Sequence, residues 1–420
     1  MTNLKYDKNN HLMFGKHQIK KVIQNIPTPF FLYSEEVLQK NFIEFQSEAL
    51  SHFANPLIAF ALKSNSNPTL LKILNRLGSG ADIVSLGECA QALKAGIKAN
   101  KIVFSGVGKS KEEIEYALNL SKNGIFSFNV ESLSELEIIN QIAKSQNKKA
   151  RVALRFNPEI KAKTHKYIST GGKYHKFGII EEDIKAIAQM QKKFSNIEFK
   201  GLSVHIGSQL MTLDATQKAI KKMVNLSNEL SFNLDFLDVG GGLGVAYHPS
   251  DIKNEPSVKQ YMKLVSSEIK KSTKDLKTIV FEPGRRIVAG SGILVMNVIR
   301  TKESKGHKFL IVDAGMNDFV RPSLYEAYHH ILPLKLETNR KKIPYDIVGP
   351  ICETSDCFAH SRVIQEMKDE EILILQDTGA YGYSMGSNYN LRVRPGEYLL
   401  KNDGSISTSR KYQNLNEIIF

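Results

Sequence analysis

The stretch PLIAFALKSNSNP, residues 56–68, runs apolar from Pro56 to Leu62 and then turns abruptly to lysine, serine and asparagine. A short apolar run bounded by polar turn residues fits a strand buried on both faces better than an amphipathic helix. The pattern recurs downstream in GADIVS (80–85), KIVFSG (101–106), IFSFNV (125–130), RVALRFN (151–157), FKGLSVHIG (199–207), FLDVGGG (236–242) and TIVFEPG (278–284), which makes eight runs. Between them lie helical stretches such as SLGECAQALKAG, where Leu86, Cys89, Ala90 and Leu93 recur at helical spacing. Eight strand-helix units predict an α/β fold of the (β/α)8 barrel type. A doubly wound open sheet would show a glycine-rich fingerprint after its first strand, and Lys63-Ser64-Asn65-Ser66-Asn67-Pro68 is no such motif.

A chain of 420 residues is too long for one ordinary core, and the pattern changes near residue 289. Strand-like runs follow: GILVMNVIRT, KFLIVDA, YDIVGPI, EILILQDTGA and NLRVRPGEYLL. Residues 29–288 are therefore read as the barrel and 289–420 as a C-terminal β domain, with residues 1–28 expected to pair with the latter.

Hydrophobic residues at 42% and charged residues at 24% are ordinary for a folded enzyme and exclude a disordered or fibrous chain. The formal charge of +14 raises the question of nucleic acid, but the lysines are scattered among acids, as in KSKEEIEYALNLSK (109–122). A nucleic-acid footprint would be a clustered basic stripe, so no such partner is expected. Part of that charge could instead draw anionic substrates to a cleft. No apolar run approaches the roughly 18 residues of a membrane span, and the opening segment lacks a signal-peptide core. Three cysteines, Cys89, Cys352 and Cys357, do not make a disulfide framework. No membrane partner and a cytoplasmic location are the expectations.

In an α/β barrel the chemistry sits where strands end. The first run ends in Lys63, either a solvated strand terminus or a partly desolvated amine suited to Schiff-base formation. The sixth ends in His205-Ile206-Gly207-Ser208, and the seventh in Gly240-Gly241-Gly242. Consecutive glycines let backbone amides approach an anion such as phosphate; the plain alternative is a tight turn. The eighth ends in Glu282-Pro283-Gly284-Arg285, where the carboxylate needs a partner: a protonated pyridine nitrogen, or Arg285 or Arg286 in a salt bridge.

Lysine after strand one, histidine after six, glycines after seven and EPGR after eight resemble the fold-type III pyridoxal-phosphate decarboxylases, over nearly the whole chain. The resemblance implies pyridoxal 5'-phosphate as cofactor, Schiff-base linked to Lys63, with His205 stacked on the ring. It gives the phosphate to Ser208, Gly240, Gly241, Gly242 and the backbone of Gly284 and Arg285, and the ring nitrogen to Glu282. In the C-terminal domain, RPSLYEAYHHI from Arg321 and GPICETSD from Gly349 resemble the diaminopimelate-specific branch. That branch implies decarboxylation of meso-2,6-diaminopimelate to L-lysine, the last step of lysine biosynthesis. It assigns the substrate's far end to Arg285, Arg321, Tyr325 and Glu353, proton return to Cys352, and contact with cofactor and substrate to Tyr381. It also implies a homodimer with shared active sites. Two arginines and a glutamate suit a distal zwitterion. The alternative is a related decarboxylase acting on carboxynorspermidine, arginine or ornithine, whose substrates lack that second amino-acid end. No metal is expected.

Overall fold

The computed structural model describes residues 3–160 and 176–419. Each of the eight apolar runs forms one strand: Pro56–Ala61, Gly80–Ile83, Ile102–Phe104, Ser127–Val130, Ala150–Phe156, Ile197–Val204, Phe236–Asp238 and Thr278–Phe281. All pair in parallel with their neighbours, and the eighth returns to the first through Ile279 opposite Pro56, which closes a barrel. The turns from strand to helix are fixed by short polar side chains that satisfy the free amides of each helix start. Asn67 caps Pro68–Arg76, Ser85 caps Leu86–Lys94, and Ser110 with Glu113 forms a capping box on Lys111–Asn119. Among the described residues no helix is long and apolar enough to cross a membrane.

The barrel is filled rather than hollow. Leu57, Ala59, Val103, Ala153, Phe236 and Val280 form one buried cluster. Phe236 takes the space that a side chain on the neighbouring strand would use, since a Cβ on Gly201 would lie 2.4 Å from its ring. Gly201→Ala should therefore overpack the barrel and lower stability by about 1–3 kcal/mol. Denaturant unfolding measures this, and an unchanged midpoint would mean that Phe236 has room to turn aside.

The chain divides into two compact units: Phe42–Val245 with Asn254–Gly284, which holds the barrel, and Met1–Asn41 with Ala246–Lys253 and Arg285–Phe420. The second unit is mostly sheet. Its long strand Gly292–Ser304 pairs antiparallel with Phe30–Ser34, His307–Val312 and Ile372–Leu375. Phe30–Ser34 also pairs in parallel with Gly396–Leu400, so it is an inner strand of this sheet rather than the start of the barrel domain read from residue 29. All five of its residues are buried, which gives it the same continuous apolar look as a barrel strand. Leu4, Leu12, Phe14, Ile19 and Ile23 share one core with Phe30, Val295 and Ile374.

Two further details differ from the sequence reading. Within NLRVRPGEYLL only Gly396–Leu400 is a strand, because Asn390 and Leu391 have φ of 56° and 53°, outside the extended region. Cys357–Gln365 is a strand that apolar spacing does not reveal, since His360, Ser361 and Arg362 interrupt its alternation.

Candidate active site

Lys63 lies in the single turn Leu62–Ser64 that follows the first barrel strand. Its Nζ is 2.6 Å from Oδ2 of Asp82, on the second strand; the lysine side chain is 35% exposed and the aspartate fully buried. The amine is thus anchored at its tip and open to one side, not a freely solvated terminus. Asp82 Oδ1 is buried with no hydrogen-bond partner among the described residues.

Glu282, just past the eighth strand, is buried among polar groups supplied by three other strands. Its Oε1 accepts from Asn129 Nδ2 at 3.2 Å and from Ser105 Oγ at 3.3 Å. The same Asn129 Nδ2 donates to Oδ2 of the fully buried Asp238 at 2.9 Å. Burial, reinforced by the Asp238 and Asp82 carboxylates, holds the Glu282 proton well above the usual carboxylate range, against the pull of Lys63. Asp238 is pushed up by burial as well, to about 6.

His205 follows the sixth strand and accepts the Gly241 N–H on Nδ1 at 3.2 Å. Burial, then the charges of Arg155 and Lys63, keep its pKa well below the ordinary value. The imidazole is therefore neutral, with its proton on Nε2.

The glycine run is a tight crossing of backbones: a Cβ on Gly241 would lie 2.1 Å from the Glu282 carbonyl oxygen, and one on Gly242 2.3 Å from that of Gly207. Two of its amides serve the protein, Gly240 N–H to Asp238 Oδ1 at 2.9 Å and Gly241 N–H to His205. Among the described residues, Gly242 is the member of the run whose N–H has no acceptor. The run is thus a tight turn that leaves one of its three amides unbonded among the described residues. Ser208 is partly buried beyond the sixth strand, and Gly284 lies where a Cβ would meet Ser64 Oγ at 2.9 Å.

Asp82, Asn129 and Asp238 were not singled out by the strand-end reading. Each is a polar residue set between apolar ones inside its run, GADIVS, IFSFNV and FLDVGGG, and that placement is the signal. Arg155 is a fourth such residue; its Nη1 meets Glu131 Oε1 at 2.5 Å.

The second unit gathers a different set. Arg321, buried at the start of the helix Arg321–Tyr325, places Nη1 2.7 Å from His329 Nε2. His329 Nδ1 donates to the Gln376 carbonyl at 2.8 Å. Burial, then Arg321, keeps His329 neutral. The Arg321 guanidinium lies 4.5 Å from the centre of the Tyr247 ring, and its Nε is buried without an acceptor among the described residues. Arg285 donates from Nη1 to Tyr247 Oη at 2.9 Å and lies 4.7 Å from the centre of the Tyr381 ring. Two buried cations therefore share one tyrosine, an arrangement that favours an incoming carboxylate. Tyr325 is partly buried on the Arg321 helix.

Cys352 and Glu353 are not in this cluster of contacts. They lie on an exposed loop whose base is clamped by Asp356, which accepts the Met316 N–H at 2.6 Å and the Ile351 N–H at 2.7 Å. Glu353 Oε1 accepts from Ser355 Oγ at 2.6 Å, and the Ser355 and Tyr389 hydroxyls keep its carboxyl below the ordinary value. The Cys352 N–H meets Asn390 Oδ1 at 3.0 Å.

An anchored but open amine, a buried acid able to meet a ring nitrogen, a neutral imidazole and an unpaired amide in a crowded glycine turn together fit pyridoxal phosphate. Comparison with known proteins agrees. Residues 39–289 match the family of the pyridoxal-dependent decarboxylase, pyridoxal binding domain. The chain is 42% identical to the diaminopimelate decarboxylase of Aquifex aeolicus, covering 96% of this chain and 93% of that one. It is 43% identical to that of Helicobacter pylori strain J99, covering 95% and 96%. The crystal structure of diaminopimelate decarboxylase from Helicobacter pylori complexed with L-lysine superposes with a TM-score of 0.89 at 41% identity, over 95% of this chain and 98% of that one. By sequence, fold and the residues at its barrel mouth, the chain belongs to the pyridoxal-dependent decarboxylases, in the diaminopimelate decarboxylase family.

Proposed function

We propose that this chain removes CO2 from meso-2,6-diaminopimelate to leave L-lysine, with pyridoxal 5'-phosphate held at the barrel mouth. The observation that carries the reading is the Lys63–Asp82 pair together with the buried Glu282, Asp238 and Asn129 group, in a chain of this family. When bound, pyridoxal phosphate supplies the electron sink that lets a carboxylate leave as CO2. The protein orients and charges the site. Lys63 offers the amine that holds the cofactor, with Asp82 fixing its direction. Glu282, held by Asn129 and Ser105, is the acid at the place assigned to the ring nitrogen. The neutral His205 is a flat face with no charge to repel a protonated ring. Gly242 N–H is the amide of the run left for the phosphate, beside Ser208 and the backbone of Gly284 and Arg285.

Arg285 and Arg321 are read as the cations for the substrate's distal carboxylate, with Tyr325 and Tyr381 as their aromatic neighbours and Glu353 for the distal ammonium. Cys352 is read as the donor that returns a proton to Cα. Its exposure on a clamped loop suits delivery to a second copy of the chain, so the working assembly is taken as a homodimer. The cytoplasm, where amino-acid biosynthesis takes place, is the proposed location.

Incubation with pyridoxal phosphate and a panel of diamino acids, with CO2 and product measured, tests the substrate. Diaminopimelate should be the preferred substrate and lysine the product; preference for ornithine or arginine would end the assignment. Replacing Arg321 by methionine should reduce kcat/KM for diaminopimelate by roughly 2–4 kcal/mol in transition-state terms, as for one severed buried charge contact. Replacing Glu353 by glutamine should act in the same direction. Values within twofold of wild type would remove these residues from substrate recognition.

A further inference from the structure

The seventh barrel strand ends in an acid to which the reaction as read gives no role. Asp238 is fully buried. Its Oδ1 accepts the first amide of the glycine turn, Gly240 N–H, at 2.9 Å, and its Oδ2 accepts Asn129 Nδ2 at 2.9 Å. The same Asn129 amide reaches Glu282 Oε1 at 3.2 Å, so one donor bridges the two buried acids.

We propose that Asp238 is a positioning residue: it orients the Asn129 amide that holds the Glu282 carboxyl group and, through Gly240, ties that acid to the turn carrying the Gly242 amide. One buried side chain then fixes together the acid read for the ring nitrogen and the turn read for the phosphate. The proposal rests on that reading of Glu282 and deepens it. Burial and the Asp238 and Asp82 carboxylates raise Glu282, and burial raises Asp238 to about 6. The charged groups acting on Glu282 are Asp238, Asp82 and Lys63, and the Tyr261 hydroxyl feels both Glu282 and Asp238. The Asp238 carboxylate places negative charge beside Glu282, which favours a protonated ring nitrogen.

The test compares holoenzymes. Asp238→Asn keeps an oxygen for Gly240 N–H but sets a donor against the Asn129 amide that bridges to Glu282 and removes the negative charge. Cofactor Kd should stay within about threefold of wild type, since the Gly240 bond is kept. Saturated kcat should fall at least about tenfold with KM little changed, and the pH transition in the cofactor's near-visible absorbance should move toward acid by about one pH unit, as when a neighbouring charge is lost. Asp238→Ala also frees Gly240, so its cofactor Kd should weaken by at least about tenfold more. If Asp238→Asn does not fold, Asn129→Ser removes the bridging amide without touching either acid and should lower kcat and displace the transition. An unchanged kcat and transition in the folded variant, or a loss of cofactor affinity alone, would overturn the proposal. Wild-type enzyme that binds no cofactor or releases no CO2 would overturn the functional reading and this proposal with it, whereas differences among variants of an active wild type bear on Asp238 alone.

Discussion

Lys63→Ala enzyme incubated with pyridoxal phosphate shows no near-visible absorbance of a lysine-linked cofactor and gives no borohydride-stable adduct. The expectation follows from the geometry. Lys63 is the amine set among the buried acids of the barrel mouth, its Nζ fixed 2.6 Å from Asp82 and its side chain partly open. An amine delivered from solution lacks that placement, and positioning alone is worth several powers of ten, so CO2 release should fall more than ~1,000-fold. The substitution also leaves Asp82 buried without its cation, so stability should fall while the circular dichroism spectrum stays that of the folded barrel. Retention of a reducible adduct in this variant would move the covalent link to another lysine.

Lys63→Ala and Cys352→Ala, each inactive alone, should recover activity when mixed as refolded or co-expressed subunits. Cys352 lies on an exposed loop held by Asp356, and the family resemblance delivers that loop to a partner's site while Lys63 serves its own barrel. In a two-fold dimer, random mixing of equal subunits makes about half of the dimers hybrid, and each hybrid holds one intact site, so activity should return to about a quarter of wild type. Activity no higher than that of the separate variants, with subunit exchange verified by tagged pull-down, would show that both residues serve one chain's site or that Cys352 is dispensable.

The barrel was legible because parallel strands covered on both faces must be almost wholly apolar, which makes each run stand out from its neighbouring helices. That same rule misplaced Phe30–Ser34, an inner strand of the second unit with an equally unbroken apolar look. Lys63, His205 and Glu282 could be found because they sit at strand ends, the known place for barrel chemistry. Asp82, Asn129 and Asp238 lie one or two residues earlier, inside runs whose apolar majority masks them. Which glycine keeps a free amide was beyond the sequence, since it depends on where Asp238 and His205 spend their acceptors. The pairing of Arg285 and Arg321 around Tyr247 was equally hidden, because the three residues are brought together only by folding of the second unit.

The most direct test of the account is borohydride reduction of the enzyme loaded with pyridoxal phosphate, followed by peptide mapping of the trapped adduct. The account predicts one stoichiometric label, on Lys63, and loss of diaminopimelate decarboxylation in step with labelling. A label on another lysine, or full CO2 release from enzyme whose Lys63 has been trapped, would contradict it.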